Sequence, residues 1–188
     1  MSIKTFNSYI KEFSNSGSRV SQEVLDLFLN FLIEFPKESR IFVCGNGGSA
    51  STAEHFSADF STGSSRRGRG LSVSCLNSNH SILTQIANDF TYSDVFTQQL
   101  ILEAEEGDCL ITFSASGNST NILSAISEAK NRRMKTAAFT GFDGGATKKQ
   151  VDFPIHVETE IGAYGIVEDV HLSLVHYLVE RFRGANSK

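Results

Sequence analysis

Apolar runs alternate with helix-like patterns along most of the chain, and this alternation predicts the fold. Five short apolar runs are predicted strands, at Arg40–Gly45, Leu71–Cys75, Asp108–Ser114, Lys135–Thr140 and Phe153–Val157. Amphipathic periodicity predicts helices between and after them, at Ser49–Ser61, Ser81–Asn88, Tyr92–Glu105, Asn118–Asn131 and Ala163–Arg183. Strands that alternate with helices are typical of α/β proteins, so we expect a three-layer α/β/α sandwich around a five-stranded parallel sheet.

Two further amphipathic segments precede the first predicted strand, at Ser2–Phe13 and Ser21–Phe35, and Pro36 ends the second. The second segment contains "VLDLFLNFLIEF" and is apolar on nearly every side, whereas a helix of a monomer usually keeps a polar face. Subunit association and deep burial within one subunit both explain this pattern, and we expect the N-terminal helices to serve oligomerisation. We interpret residues 1–188 as a single domain, with a helical pair at 1–36 and an α/β core at 37–183.

Composition and charge narrow the function classes. The chain is 40% hydrophobic and 20% charged with a formal net charge of -4, which argues against general nucleic-acid binding. The longest apolar segment is about half of the roughly 20 residues that span a bilayer, so we expect no membrane partner. Cys44, Cys75 and Cys109 lack CxxC spacing and lie in apolar runs, which is typical of reduced core thiols. We therefore expect a cytoplasmic protein.

Two turns rich in small polar residues follow predicted strands. "CGNGGS" follows the first strand and "SASGNS" the third, and each precedes a predicted helix. A helix N-terminus offers backbone N–H groups and the positive end of the helix dipole, which suits phosphate. The hydroxyls of Ser114, Ser116 and Ser119 add hydrogen bonds without charge. A tight turn with a Ser or Asn cap is the structural alternative, but ligands of doubly wound sheets bind where such turns lie.

The first turn also fits a degenerate dinucleotide fingerprint, Gly45-x-Gly47-x-x-Ala50. That motif is confirmed by an acidic residue about 20 positions on, at the end of the second strand. Here the second strand ends "SVSCLNSN", without a carboxylate, and this disfavours a dinucleotide.

Histidines and carboxylates share helix faces in two predicted helices. His55 and Asp59 are four residues apart, which suits two metal ligands, an acid/base pair or a plain surface contact. The last helix carries Glu168, His171 and His176. Its two histidines are about 140° apart around the axis, so at most one of them belongs to the site that Glu168 faces.

These motifs together resemble the sugar isomerase (SIS) domain. "CGNGGSASTAEHFSADF", "IANDFTYSDVF", "SASGNSTNIL", "TGFDGG" and "VEDVHLSLVHYL" occur in the family order, from about Ser2 to Phe182, and are most similar to the phosphoheptose isomerases. The resemblance implies a flavodoxin-like fold and a homotetramer with active sites between subunits. It also implies that the phosphate is held by "SASGNS", and the rest of the substrate by Asn46, Gly47, Ser49, Asp89 and Glu168. The implied divalent metal, expected to be zinc, has as its ligands His55, Asp59, Glu168 and His176, of which Asp59 and His176 are also the implied acid and base.

The activity that this resemblance implies is an aldose–ketose isomerisation through an enediol. It would interconvert sedoheptulose 7-phosphate and D-glycero-D-manno-heptose 7-phosphate, for lipopolysaccharide, capsule or related heptose glycans. Two alternatives stay open: an isomerase of another phosphosugar, and a non-catalytic SIS protein that binds a phosphosugar or a partner protein.

The chain departs from the family pattern at four positions. Asp59 replaces a glutamate, Glu168 replaces a glutamine, Ile166 an arginine and Ala115 a threonine. The shorter Asp59 side chain moves the carboxylate by about 1.5 Å, a displacement that can lower a rate strongly. Glu168 adds a negative charge, which is expected to strengthen cation binding.

Overall fold

The computed structural model describes residues 5–63 and 70–185, so the predicted start of the first helix at Ser2 lies outside the described residues. The strands are β1 (Ile41–Gly45), β2 (Val73–Cys75), β3 (Cys109–Ser114), β4 (Lys135–Thr140) and β5 (Phe153–His156). The helices are α1 (Phe6–Ser18), α2 (Gln22–Glu34), α3 (Gly48–Ala58), α4 (His80–Asp89), α5 (Thr97–Glu103), α6 (Thr120–Asn131) and α7 (Tyr164–Ala185).

All five strands form one parallel sheet in the order β2-β1-β3-β4-β5. The first strand in the sequence, β1, lies inside the sheet. β2 pairs with one side of β1, and β3, β4 and β5 follow in order on its other side. This reversal lies between β1 and β3, so the turns after these two neighbouring strands meet at the same edge. That edge is where doubly wound proteins bind ligands, and the predicted parallel sheet is confirmed.

Each face of the sheet packs against its own group of helices. Along β1, Ile41 and Val43 point into one core, and Phe42 and Cys44 into the other, as the two-residue period of a strand requires. The first core contains α2, α3 and α7, with α1 packed on its outside; the second contains α4, α5 and α6. The three-layer sandwich is therefore confirmed.

The apolar second helix is explained mainly by burial within the subunit. Phe28 and Leu32 are fully buried, and Phe28 packs on Phe139 of β4 and Phe153 of β5. Leu27, by contrast, is 57% exposed. Most of the apolar surface of α2 thus packs within the subunit, and the role of the N-terminal helices in association stays a prediction.

The predicted helix at Tyr92–Glu105 is divided in the structure. A 3-10 turn covers Tyr92–Asp94 and α5 begins only at Thr97, because Val95 and Phe96 turn inward and are fully buried. Among the described residues, none of the helices has the length and apolar character to cross a membrane.

Candidate active site

The first glycine turn brings the backbone of α3 close to α7. Gly47 has a φ of +56°, a left-handed conformation that glycine adopts without steric cost. At Gly48, a Cβ atom would overlap the carboxylate of Glu168 on α7. The turn therefore needs small residues for two reasons: it reverses the chain sharply at Gly47, and it leaves room for a side chain of α7 at Gly48.

The second turn places three hydroxyls at the start of α6. The Oγ atom of Ser114 accepts the N–H of Gly117 at 3.2 Å, and that of Ser116 accepts the N–H of Asn118 at 3.2 Å. A hydroxyl that accepts one hydrogen bond still has its own hydrogen to donate. Ser119 is the N-cap residue of α6 but its side chain makes no capping bond. All three hydroxyls are therefore available as donors to an anion at the N-terminus of α6.

A cavity of about 130 Å³ lies between the two turns and the start of α7. Its lining combines the serines of both turns with three further polar residues and two apolar ones: Asn46, Ser49, Phe113, Ser114, Ala115, Ser116, Ser119, Tyr164 and Glu168. Asp89 is not among these residues; it is exposed at the end of α4, and its carboxylate accepts a hydrogen bond from Asn88. A larger groove of about 510 Å³ lies beside β2, and no predicted site residue lines it.

Glu168 is the charged residue of this cavity. It lies in the second turn of α7 and is half-buried, and burial, followed by the neighbouring charge of Asp169, raises the pKa of its carboxyl group. A raised pKa means that the ionised form is less favoured here than in water. A ligand cation, or a sugar hydroxyl that donates to this carboxylate, would favour the ionised form.

His55, Asp59 and His176 meet where α3 packs against α7. The Nε2 atom of His55 lies 3.3 Å from Oδ2 of Asp59 and 3.0 Å from Nε2 of His176. Asp59 is the first residue of a π-helical turn, Asp59–Gly63, that continues α3, and such turns are frequent at functional sites. The side chain of His55 is 43% exposed and that of Asp59 is 27% exposed, so solvent and ligands reach the group.

The geometry of this group fits a metal ion. One ligand atom of each residue lies within 4.8 Å of the others. Zinc–nitrogen bonds of about 2.0–2.1 Å in tetrahedral geometry place neighbouring ligand atoms roughly 3.3 Å apart, which is close to the distances from His55 to Asp59 and to His176. Two imidazoles and a carboxylate also suit Mn²⁺ or Fe²⁺.

Glu168 is not part of this group, although it was expected to be a ligand. It precedes His176 by eight residues on α7, which corresponds to about 12 Å along the helix axis. In the structure its carboxylate lies against Gly48 and lines the cavity instead. Its role as a fourth ligand stays a prediction, and the Glu168→Gln variant described below tests it.

His171 is separate from both groups, as the helical angle predicted. It is fully buried between Phe113 and Phe139, and its Nε2 atom lies 3.2 Å from the carbonyl oxygen of Thr140. Burial lowers the pKa of His171 to about 4, so the ring is neutral at pH 7.

Three residues near the site were missed by sequence reasoning. Tyr164 lines the cavity one helical turn before Glu168, and Tyr92 and Asn121 form hydrogen bonds with Asn46. Tyr92 lies in the "NDFTY" segment and Asn121 in "SGNSTN". Both segments belong to the family motifs, but their spacing along the chain does not indicate a contact with Asn46.

The fold and the site together define a doubly wound α/β protein with a hydroxyl-rich cavity beside a His-Asp-His group. A family profile for the SIS domain matches residues 8–141. The phosphoheptose isomerase of Helicobacter pylori (strain ATCC 700392 / 26695) is 38% identical over 160 residues, which are 85% of this chain and 82% of that protein. That of Synechocystis sp. is 33% identical over 174 residues, 93% of this chain and 87% of that one.

Solved structures agree with these relatives. The structure of the phosphoheptose isomerase from Neisseria gonorrhoeae matches with a TM-score of 0.84 and 27% identity, over 95% of this chain and 95% of that chain. The chain therefore belongs to the SIS-domain family, within its phosphoheptose isomerase group.

Proposed function

We propose that the protein is an aldose–ketose isomerase that interconverts sedoheptulose 7-phosphate and D-glycero-D-manno-heptose 7-phosphate through an enediol. The observation that carries the proposal is the pairing of two sites on the same two helices. The starts of α3 and α7 line the hydroxyl-rich cavity, and about two to three turns further along, α3 with its π-helical continuation and α7 bring His55, Asp59 and His176 together. The names of the relatives support this substrate.

The spacing between the two sites suits an extended heptose phosphate. Ser49 and His55 are six residues apart on α3, which is about 9 Å along the helix. An open chain of seven carbons with its phosphoester extends roughly 10 Å, given single-bond lengths of ~1.5 Å. A phosphate held by Ser114, Ser116 and Ser119 would therefore orient the open chain along α3, with C1 and C2 towards the end that carries His55.

The reaction moves one proton between C1 and C2. In the proposed assignment Asp59 takes the proton from the carbon next to the carbonyl group, and His176 protonates the carbonyl oxygen to give the enediol. Asp59 then returns the proton to the other carbon, while the hydroxyl on the first carbon gives its proton to His176 and becomes the new carbonyl group, so both side chains regain their starting protonation. Oδ2 of Asp59 faces His55, which leaves the second carboxylate oxygen for the substrate.

His55, Asp59 and His176 would also hold a divalent metal, and we propose zinc. When bound, the metal would supply positive charge that polarises the sugar oxygens. Within the protein, Asp59 offsets one of the two charges of such an ion.

We propose that the product enters heptose glycans, such as lipopolysaccharide or capsule, and that the reaction takes place in the cytoplasm. The three cysteines are free thiols, as in a reducing compartment. We also propose that residues 1–188 form one domain, with the helical pair at 1–36 and the core at 37–183. The packing of α1 and α2 against α7 supports this assignment.

We further propose that the chain is a homo-oligomer, most simply the tetramer of its family, with α1 at an interface. An apolar groove of about 290 Å³ runs between α1 and α7 and ends at His176. Phe6 is 76% exposed and Ile10 45% exposed beside this groove. A second copy that covered the groove would bury both side chains and enclose the His-Asp-His group.

Association is tested by Phe6→Glu and Ile10→Glu, measured by light scattering. Both variants are expected to lower the mass in solution, because each would bury a charge in the interface. Leu102→Glu is the matched control, since Leu102 is 80% exposed on α5 and lies outside the groove. A wild-type protein that is monomeric at micromolar concentration would contradict the proposal.

The function itself is tested by turnover of sedoheptulose 7-phosphate. In D₂O, proton exchange through an enediol predicts deuterium at C2 of the aldose product and at C1 of the ketose, visible by NMR. Conversion of a different phosphosugar, or binding without conversion, would support one of the two alternatives instead.

A further inference from the structure

Two polar side chains from distant parts of the chain form hydrogen bonds with the side chain of Asn46. The side chain of Asn121, in the first turn of α6, exchanges two hydrogen bonds with that of Asn46, each 2.9 Å long. The phenol of Tyr92 donates a third hydrogen bond to Oδ1 of Asn46, also at 2.9 Å. Asn121 is 3% exposed, whereas Tyr92 is 61% exposed.

These contacts occupy most of the hydrogen-bonding capacity of Asn46. An amide oxygen accepts two hydrogen bonds and an amide nitrogen donates two. Oδ1 of Asn46 already accepts from Asn121 and from Tyr92, and one N–H already goes to Asn121. The side chain is left with a single N–H for a ligand, and the plane of its amide is fixed by its three contacts.

The contacts also join the segments that form the site. Asn46 lies in the first glycine turn, directly after β1, and Asn121 follows Ser119 by two residues at the second turn. Tyr92 lies three residues after Asp89. The two hydrogen bonds between Asn46 and Asn121 therefore fix the distance between the two turns. The hydrogen bond from Tyr92 connects the segment that carries Asp89 to the first turn.

We propose that Asn121 and Tyr92 are positioning residues, which orient Asn46 so that its remaining N–H points to a substrate oxygen and hold the two turns at their working separation. The proposal rests on the proposed isomerase function for its kinetic test, although the geometry that it describes is independent of the substrate. Neither residue needs to touch the substrate for this role.

Tyr92 gives the cleaner test, because its ring is exposed. Tyr92→Phe removes one hydroxyl and leaves the core unchanged. If Tyr92 had only a structural role, this variant would change neither kcat/KM nor the melting temperature appreciably. A positioning role predicts that kcat/KM falls about 2- to 13-fold, the range that one neutral hydrogen bond supplies. The melting temperature should stay at the wild-type value.

Asn121→Asp tests the amide pair. The carboxylate still accepts from Asn46 but has no N–H to donate to Oδ1, so kcat/KM should fall by at least as much as in Tyr92→Phe. In an Asn46→Ala background, Tyr92→Phe should have no further effect, because the group that it positions is absent. Tyr177→Phe and Asn131→Asp make the same two substitutions outside the hydrogen bonds to Asn46, and both should keep wild-type kinetics.

A readout without substrate separates this inference from the proposed function. NMR relaxation of the Gly47 and Gly48 backbone amides should show greater mobility in Tyr92→Phe and Asn121→Asp than in the wild type and the controls. A wild-type chain that does not convert sedoheptulose 7-phosphate contradicts the proposed function, and the relaxation data then decide the inference. Unchanged mobility in both variants, or additive effects with Asn46→Ala, would overturn it.

Discussion

Removal of the Ser119 hydroxyl should weaken binding of the substrate phosphate without weakening the fold. Ser119 occupies the N-cap position of α6, where a serine normally stabilises the helix through its side chain. Here its side chain makes no capping hydrogen bond, and it lines the cavity instead. Ser119→Ala thus removes a ligand contact and little else.

The expected increase in KM for Ser119→Ala follows from the loss of one neutral hydrogen bond. Its loss costs about 0.5–1.5 kcal/mol, which corresponds to an increase in KM of about 2- to 13-fold. The phosphate is remote from C1 and C2, so the contact is equally strong in the ground state and in the transition state. An interaction of this kind changes KM and leaves kcat unchanged.

The assay is steady-state turnover by NMR together with a thermal melt. Ser127→Ala, an exposed position on the same helix, is the control and should leave KM unchanged. Ser114→Ala is expected to affect both KM and stability, since Ser114 also accepts the Gly117 N–H. An unchanged KM in Ser119→Ala, or an equal loss for unphosphorylated sedoheptulose, would refute a phosphate site at this turn.

Two other predictions concern the histidines. His55→Ala and His176→Ala should each purify with less zinc than the wild type by elemental analysis, and wild-type metal content in both variants would exclude the site. Glu168→Gln tests the predicted fourth ligand: a lower zinc content would support it, and the wild-type content would leave three ligands. The pKa of His171 is about 4 in the folded protein and has its ordinary value of 6.5 in the unfolded chain. Between these values the folded protein binds fewer protons than the unfolded chain, so a fall in pH favours unfolding. The contribution of His171 to the stability of the fold is therefore complete above pH 6.5 and is lost as the pH falls towards 4. Between pH 6.5 and pH 4 the free energy of unfolding should fall by roughly 3 kcal/mol, at 1.36 kcal/mol for each pKa unit. His171→Phe should flatten the pH dependence of urea unfolding and the exposed His80→Gln should not; equal slopes in both would contradict the assignment.

The fold was predictable because each strand has a recognisable local pattern in the sequence, a short apolar run. Lys135–Thr140 was predicted with the bounds that the structure shows, since it is a short apolar run between the end of a helix at Asn131 and the glycine-rich turn that follows Thr140. The first helix extends beyond its predicted end at Phe13: Thr5 and Ser8 form a capping box before Phe6, and the helix continues to Ser18 through Gly17. Short caps of this kind are weak signals within a polar sequence.

The site was predictable in its residue types and less so in its grouping. Each turn and each histidine carries a local pattern, but the contacts join distant residues: His55 and His176 are 121 positions apart, and Asn46 and Asn121 are 75 apart. Such pairings depend on how α3, α6 and α7 pack on the sheet, which periodicity does not specify. The position of Glu168 shows this, because its place over Gly48 follows from the close approach of α7 to the glycine turn.

The most direct test of the central claim is NMR observation of sedoheptulose 7-phosphate incubated with the purified protein, with added zinc and, separately, with a chelator. The proposed function predicts that aldose heptose 7-phosphate signals appear with metal and are much weaker or absent with chelator. No aldose signal with zinc, manganese or iron would contradict it.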